Sequence, residues 1–420
     1  MPLQRQVIEQ LPVPSRASSL AIINSSIQTD IPAQLSDWHS QSVLIVASAS
    51  LNRNTSIITD VKRQLGSIVE AEKIGVGAHT PYADVISITS LIHSHSIDTI
   101  ICIGSSSYGD GCKIARLLAS SLSPNPTNKD IESIVDQEKG ITPASAIKPP
   151  TTKLILVPTS LSAAEWNAVA SATNKEGKKQ HFGDFDGDIG ASDLICLDPK
   201  VAATAPETLW LASGVRAVDH CVEVRCHMLC TPEAAEGAER GLRALLKGLT
   251  EYKQAKDVQS KGGEIEEKGA EYEKLLEGIS KCQVGARDAI MGVILHRIPM
   301  GPSHAIGHQL GGVAGVMHGV TSCIMLAPVL KYTETWNPDA QKALLGLFND
   351  GMGWEEKRLG DAMERFVRSL ELPTRLSEVG VTEEKQIEMV AEHTLTDVWG
   401  RGKRQLDTKE QVMDILNMVR

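Results

Sequence analysis

Three histidines stand in one stretch, GPSHAIGHQLGGVAGVMHGVTSCIMLAPVLKY, running from Gly301 to Tyr332. His304 and His308 are four apart and share one face of a helix, and His318 follows beyond Gly311, Gly312 and Gly315. Two imidazoles on one face, with a third returning from a glycine-rich turn, can wall a polar pocket. They can also hold a metal ion through their ring nitrogens. The plainer alternative is that each is a core histidine satisfied by its own neighbours. A second polar pattern lies upstream in SGVRAVDHCVE: Arg216 and His220 are four apart on one helix face, Glu223 is three further on, and Asp219 lies close to Arg216 around the helix.

A different chemistry is suggested by the stretch GSSSYGDGCK, residues 104 to 113. It follows the apolar run of Asp98 to Ile103 and leads into helical periodicity through Ser121. A strand, a Gly/Ser loop and a helix in that order bring backbone N–H groups and a helix N-terminus to one point, which suits a phosphate. The loop is not a G-x-G-x-x-G fingerprint, because Ser105 and Ser106 carry side chains where glycine lets a pyrophosphate approach the backbone. A tight turn that merely caps the helix is the alternative. The run of Lys153 to Val157 likewise ends in PTSLSAAE, and hydroxyls at the C-terminal end of a strand line ligand clefts in open α/β sheets.

These residues need two kinds of scaffold. Short buried strands at Val43 to Ala47, Asp98 to Ile103, Lys153 to Val157 and Ala191 to Asp198 alternate with helical segments at 59–65 and 82–95. An extended segment is expected at 67–74 and a hairpin-like polar stretch at 181–190. The pattern predicts a doubly wound, mostly parallel sheet. Residues 1–40 are polar and proline-bearing, and 122–150 read as an exposed insertion. From Pro206 onward helical periods dominate: a long helix or helix pair over 207–230, another over 233–253, a charged loop or frayed junction over 256–268, a core helix over 275–295, and four or five amphipathic helices over 338–420. The expected organisation is an α/β domain over 1–200 and an all-α domain over 201–420.

Composition excludes several functions. The net charge of −10 argues against a nucleic-acid or anionic-membrane surface. The eight cysteines lack a C-x-x-C pair and mostly sit in apolar runs, which reads as a reduced, cytoplasmic protein. Cys221, Cys226 and Cys230 do not share one helix face, which disfavours a thiolate metal site. The sequence shows no secretory h-region and no run long and apolar enough to span a bilayer.

Four motifs, in order and correctly spaced, resemble those of the iron-containing alcohol dehydrogenases, near the maleylacetate reductases and fungal members. GSSSYGDGCK is similar to the family's G-G-G-S-x-x-D-x-x-K, PTSLSAAE to P-T-T-x-x-x-x-E, and SGVRAVDHCVE to S-G-x-D-A-x-x-H-x-x-E. His304, His308 and His318 match the histidine motif. The resemblance implies a dehydroquinate synthase-like fold: a Rossmann-like α/β domain and a helical one. It implies NAD(P)(H) at Gly104, Ser105, Ser106, Ser107, Asp110, Lys113, Thr159, Ser160 and Ser162, with binding weakened by the serines. The implied metal site falls on Arg216, His220, His304 and His318, with His308 as a proton relay. At the first of these the family has aspartate. A guanidinium has no lone pair to donate and opposes a divalent iron or zinc ion, so the expectation is a site working without a metal. Arg216 is then free to polarise a carbonyl or clamp an anionic or enolic substrate, unless it forms a salt bridge to Asp219 or Glu223. The leading expectation is an NAD(P)-dependent dehydrogenase or reductase. The alternative is a non-redox lyase, isomerase or cyclase that uses the histidines as acid and base. A homodimer is compatible with either.

Overall fold

The computed structural model describes residues 3–183, 188–260, 269–397 and 406–420. The chain divides into two compact units, Met1–Ala205 and Pro206–Arg420.

In the first unit the strands are β1 (Gln6–Glu9), β2 (Leu20–Ile23), β3 (Val43–Ala47), β4 (Val69–Ile74), β5 (Thr99–Gly104), β6 (Lys153–Pro158), β7 (Ala170–Thr173), β8 (Lys179–Phe182) and β9 (Leu194–Leu197). The helices are α1 (Ile27–Trp38), α2 (Ala49–Asn54), α3 (Ile57–Leu65), α4 (Tyr82–Ser94), α5 (Ser106–Ser121), α6 (Asn128–Ser133) and α7 (Pro199–Ala202). Seven strands form one sheet in the order β1-β2-β9-β6-β5-β3-β4, parallel except for β1 against β2. The central strands are apolar on both faces because both are covered. Along β5, Ile100 and Cys102 enter a core with α4 and α5, while Ile101 and Ile103 enter another with α1 and α3.

The structure revises three readings of this unit. Residues 1–40 hold β1, β2 and α1, and Ile22, Ile27, Ile31 and Leu35 are core residues whose apolar period is diluted by the polar residues between them. Residues 122–150 are anchored, since Ile131, Val135 and Ile147 are buried in the core beside α5. The hairpin lies earlier than expected, as β7 and β8; residues 184–187 of the expected stretch lie outside the described residues.

The second unit is helical: α8 (Glu207–Cys226), α9 (Pro232–Ser260), α10 (Ala270–Ile294), α11 (Pro302–Ala314), α12 (His318–Tyr332), α13 (Pro338–Met352), α14 (Leu359–Ser369), α15 (Glu384–Thr394) and α16 (Lys409–Asn417). The expected charged loop at 256–268 is helical as far as Ser260, and 261–268 lie outside the described residues. Helix α8 is buried without interruption from Trp210 to Val224. A helix enclosed on every side must be apolar all round or gather its polar groups where other polar groups meet them, and α8 gathers them in one stripe. Among the described residues no helix is long and apolar enough to cross a membrane.

Candidate active site

The polar stripe of α8 consists of Arg216, Asp219, His220 and Glu223, all at least nine-tenths buried. Helices α11 and α12 close over it. Gly307 of α11 permits this approach, since a Cβ there would stand 2.8 Å from Thr321 Oγ1 of α12 and 3.5 Å from Arg216 Nη1. Ala in its place would crowd the Thr321 side chain of α12.

The guanidinium of Arg216 donates from Nη1 to Ser322 Oγ at 3.1 Å, and Ser322 Oγ donates to Asp219 Oδ2 at 2.6 Å. Ser303 Oγ donates to the same carboxylate oxygen at 2.9 Å. Arg216 and Asp219 are thus linked through a serine, not by the direct salt bridge that was the alternative for this arginine. The rest of the guanidinium fork is uncommitted among the described residues. Burial works against its charge, and the nearby carboxylates of Asp219, Glu223 and Asp397 sustain it. Burial raises the Asp219 carboxyl, opposed by Arg216 and the two serines.

Glu223 organises the start of α11. Its oxygens accept the backbone N–H groups of Gly301 and Ser303, each at 2.7 Å, and its Oε2 lies 2.7 Å from His304 Nδ1. Burial and the charge of Asp219 raise its pKa, while the two backbone donors pull it down. His304 stacks on His220 at 4.8 Å between ring centroids. Burial, then the Arg216 charge, holds His220 down to about 3 and His304 well below the usual imidazole range, so both rings are neutral. His220 Nδ1, His304 Nε2 and Asp219 Oδ1 are buried without a hydrogen-bond partner among the described residues. Unpaired polar atoms in an enclosed site cost stability, and they mark where a ligand can be received.

The other two rings form a second pair. His308 stacks on His318 at 5.5 Å, and His308 Nδ1 lies 3.2 Å from Asp397 Oδ2. The four histidines therefore assort as His220 with His304 and His308 with His318. The expected trio of His220, His304 and His318 is not the one drawn together. Among the described residues, the His, Cys, Asp and Glu side chains whose ligand atoms all lie within 4.8 Å of one another are Asp219, Glu223 and His304. A cleft of about 670 Å³, counting its open mouth, shares Glu223 with this centre, but its other walls include Val222, Cys226, Leu326 and Trp336. Being largely apolar and without Arg216 or His304, it is not read as the reaction site.

In the α/β unit, Gly104, Ser105 and Ser106 line one small cavity with Gly109, Pro158 and Glu165. Ser105 caps α5 by backbone alone, and Ser160 and Ser162 share a hydrogen bond of 3.2 Å between their hydroxyls. Thr159 is buried and its N–H donates to the Gly104 carbonyl. Ser107 uses its carbonyl to accept from Thr80 Oγ1. Two residues of the expected set are engaged within the protein. Lys113 is fully buried with Nζ on the carbonyls of Ala164 and Asn167 (2.8 Å to the latter), and Asp110 accepts from the N–H and hydroxyl of Ser171. Both tie α5 to the segment after β6 and to β7, and so help to position the loop. Two features narrow the cavity's chemistry. The Tyr108 ring fills the space beside Gly104, where a Cβ would stand 2.7 Å from it, and burial pushes the Glu165 carboxyl up to about 7.

Two family models match nearly the whole chain: iron-containing alcohol dehydrogenase over residues 21–199, and the C-terminal domain of the Fe-containing alcohol dehydrogenase family over 210–419. This chain belongs to the iron-containing alcohol dehydrogenase family. Among its relatives are dehydrogenase FUM7 of Gibberella moniliformis, 29% identical over 90% of this chain and 91% of that one, and dehydrogenase ALT3 of Alternaria alternata, 28% identical over 89% and 97%. The maleylacetate reductase of Agrobacterium tumefaciens has the same fold, with a TM-score of 0.71 at 17% identity over 95% of each chain. Membership identifies an oxidoreductase family and confirms the expected fold class.

The family name implies iron, and the donor set here can be tested against it. Ligand atoms around a tetrahedral ion with bonds of ~2.0–2.1 Å stand about 3.3 Å apart. The 2.7 Å between Glu223 Oε2 and His304 Nδ1 is instead a hydrogen bond, and Glu223 is already engaged by two N–H donors. Arg216 adds a fixed cation. The hydrogen-bonded Glu223–His304 pair and the Arg216 cation both work against a divalent ion held by these side chains. Asp397, Ser303 and Ser322 were missed by sequence reasoning. Ser322, four residues after His318 on the same helix face, was the one within reach of a periodicity argument.

Proposed function

We propose that the protein is an NAD(P)H-linked reductase or dehydrogenase acting on the carbonyl of an anionic or enolic small molecule, with Arg216 in the role that a metal ion would otherwise fill. The observation that carries this reading is the buried guanidinium of Arg216, held at one edge by Ser322, among neutral imidazoles with unpartnered nitrogens. A cation in a site closed to water stabilises charge that develops on a carbonyl oxygen, and its planar fork suits a carboxylate or enolate. His220 and His304, held neutral, line the pocket. His308, partly exposed and paired with Asp397, carries the proton.

A second reading is a non-redox lyase, isomerase or cyclase using the same groups. It is favoured by the small cavity at Gly104, where the Tyr108 ring occupies the space beside the glycine and the Glu165 carboxyl opposes a phosphate once ionised. Titration with NADH and NADPH separates the two. Saturable binding, with oxidation of the nicotinamide on adding an anionic carbonyl compound, is the expected result; no binding up to millimolar concentration would leave the second reading. Metal analysis of the purified protein tests the role of Arg216. Stoichiometric iron or zinc would overturn it, whereas the Arg216→Asp variant is expected to gain metal affinity and lose turnover.

A further inference from the structure

The apolar cleft beside Glu223 lies where the last turns of α8 and α12 meet the start of α11. Its volume of about 670 Å³, counting the open mouth, is of the size that holds one small organic molecule. Val222, Leu326, Val329 and Leu330 give it carbon walls. Met228, 46% exposed, stands at the rim, and Leu229, next in the chain, is 59% exposed. A methionine at a rim adapts its outline to what enters.

Charge narrows the ligand first. Among the described residues that line the cleft there is no lysine or arginine. Its one imidazole, His227, has its pKa lowered by burial and so is uncharged at neutral pH. An anion would leave water with no cation to receive it. A cation fares little better, because Glu223 uses both of its oxygens on Gly301, Ser303 and His304. Hydrogen bonding narrows it further, since the polar side chains of the walls are paired within the protein. Thr333 Oγ1 donates to the Val329 carbonyl at 2.8 Å, and Gln341 Nε2 to the Leu330 carbonyl at 3.1 Å. Asn337 donates to the Cys226 carbonyl and accepts from the Ala340 N–H, each at 3.3 Å. Burial pushes the Cys226 thiol up to about 12, which keeps it neutral. What these walls offer is carbon surface to cover.

We propose that this cleft is a binding site for an uncharged, mostly apolar small molecule, an aryl or alkyl compound held by burial of its carbon surface against α8 and α12. It is independent of the reaction at Arg216, which lies about two turns before Glu223 along α8. The two places on one helix select opposite chemistry: a buried cation receives an anion, and the cleft receives a neutral apolar body.

Two fluorescent probes with one ring system test this: N-phenyl-1-naphthylamine, which is uncharged, and 8-anilino-1-naphthalenesulfonate, which adds a sulfonate. Both are titrated into the full chain, as wild type and as Val329→Phe, which fills the cleft from its wall. The neutral probe is expected to saturate at about one molecule per chain, with the sulfonate bound about tenfold more weakly or worse. Val329→Phe should weaken the neutral probe by about tenfold or more. Because added bulk can also unsettle the fold, the ¹³C-methyl signal of Met228, identified by its loss in Met228→Leu, is followed in the wild type. It should shift along the same titration curve. Binding that does not saturate, equal affinity for the sulfonate, wild-type affinity in a folded Val329→Phe, or a Met228 signal that stays in place overturns the proposal. So does a dimer that the probe dissociates, which would assign the cleft to a second copy of this chain.

Discussion

His304 and His308 lie one turn apart on α11, yet their surroundings give them opposite chemistry. His304 is stacked on His220, bonded to Glu223 and within the field of Arg216, so burial and a fixed cation keep it neutral. His308 has 24% of its side chain exposed, is stacked on His318 and faces Asp397. A ring that cannot be protonated serves as a wall and a hydrogen-bonding surface. One with solvent access and a carboxylate partner can carry a proton. Residue type is the same in the two cases, so what separates them is burial and the charge each meets from elsewhere in the chain.

The largest expected effect comes from removing the charge that sets this contrast. Arg216→Met should lower turnover of an anionic carbonyl by about 10³-fold. It should also lower stability by about 3–5 kcal/mol, because Asp219 is left buried without its cation. Thermal unfolding and steady-state kinetics measure the two losses, and turnover within tenfold of wild type would show that the centre is not built around the cation.

Next in size is the division between the two α11 histidines. His308→Gln should cost about 10²-fold or more in kcat with the fold intact. His304→Leu should act mainly on stability, by about 1–3 kcal/mol, because Glu223 loses a donor in an enclosed site. If the stability loss fell on His308 and the turnover loss on His304, the contrast drawn above would be reversed.

The pH dependence sharpens the comparison. His220 in the folded protein is held down to about 3, against an ordinary value near 6.5. Between those pH values the unfolded chain binds the extra proton, so this ring's contribution to stability is complete above 6.5 and declines as pH falls toward 3. The slope is at most about 1.4 kcal/mol per pH unit. Asp219 and Glu223, raised by burial, act in the opposite sense: their penalty for ionisation is relieved as pH falls through their raised values. The histidine term is therefore read as a difference, and denaturant unfolding of His220→Asn should show a flatter acid limb than wild type.

The smallest functional effect is expected far from either pair. Lys113→Met removes the ammonium from the carbonyls of Ala164 and Asn167 and should cost about 1–3 kcal/mol of stability. NAD(P)H affinity, measured by fluorescence titration, should change only a few-fold, and a loss of tenfold or more would place Lys113 against the cofactor after all.

Much of the architecture was legible because its signals are local. The runs VLIVA and KLILV are too apolar and too short for anything but buried strands, and 207–230 and 275–295 carry helical periods over long spans. The first forty residues and the segment around Ile131 were harder to read. Their core residues are isolated among polar ones, and only the neighbours supplied by the fold make them apolar anchors. Lys113 shows the same limit within the candidate sites. Its place in a loop motif suggests a phosphate contact, while its burial against two carbonyls makes it a strut.

By itself the sequence determined the two-part plan, the Gly/Ser loop between β5 and α5, and the polar stripe on α8, because each depends on spacing along one element. The arginine where a ligand aspartate is expected was also plain from residue identity. The tertiary structure alone decided how the histidines pair, that Ser322 bridges Arg216 to Asp219, and that Asp397 returns to His308. Those contacts join residues as many as 106 positions apart, and no local period encodes which side chains will share a buried volume. Pocket chemistry depends on that sharing, since burial and neighbouring charge set the protonation state of every group in it.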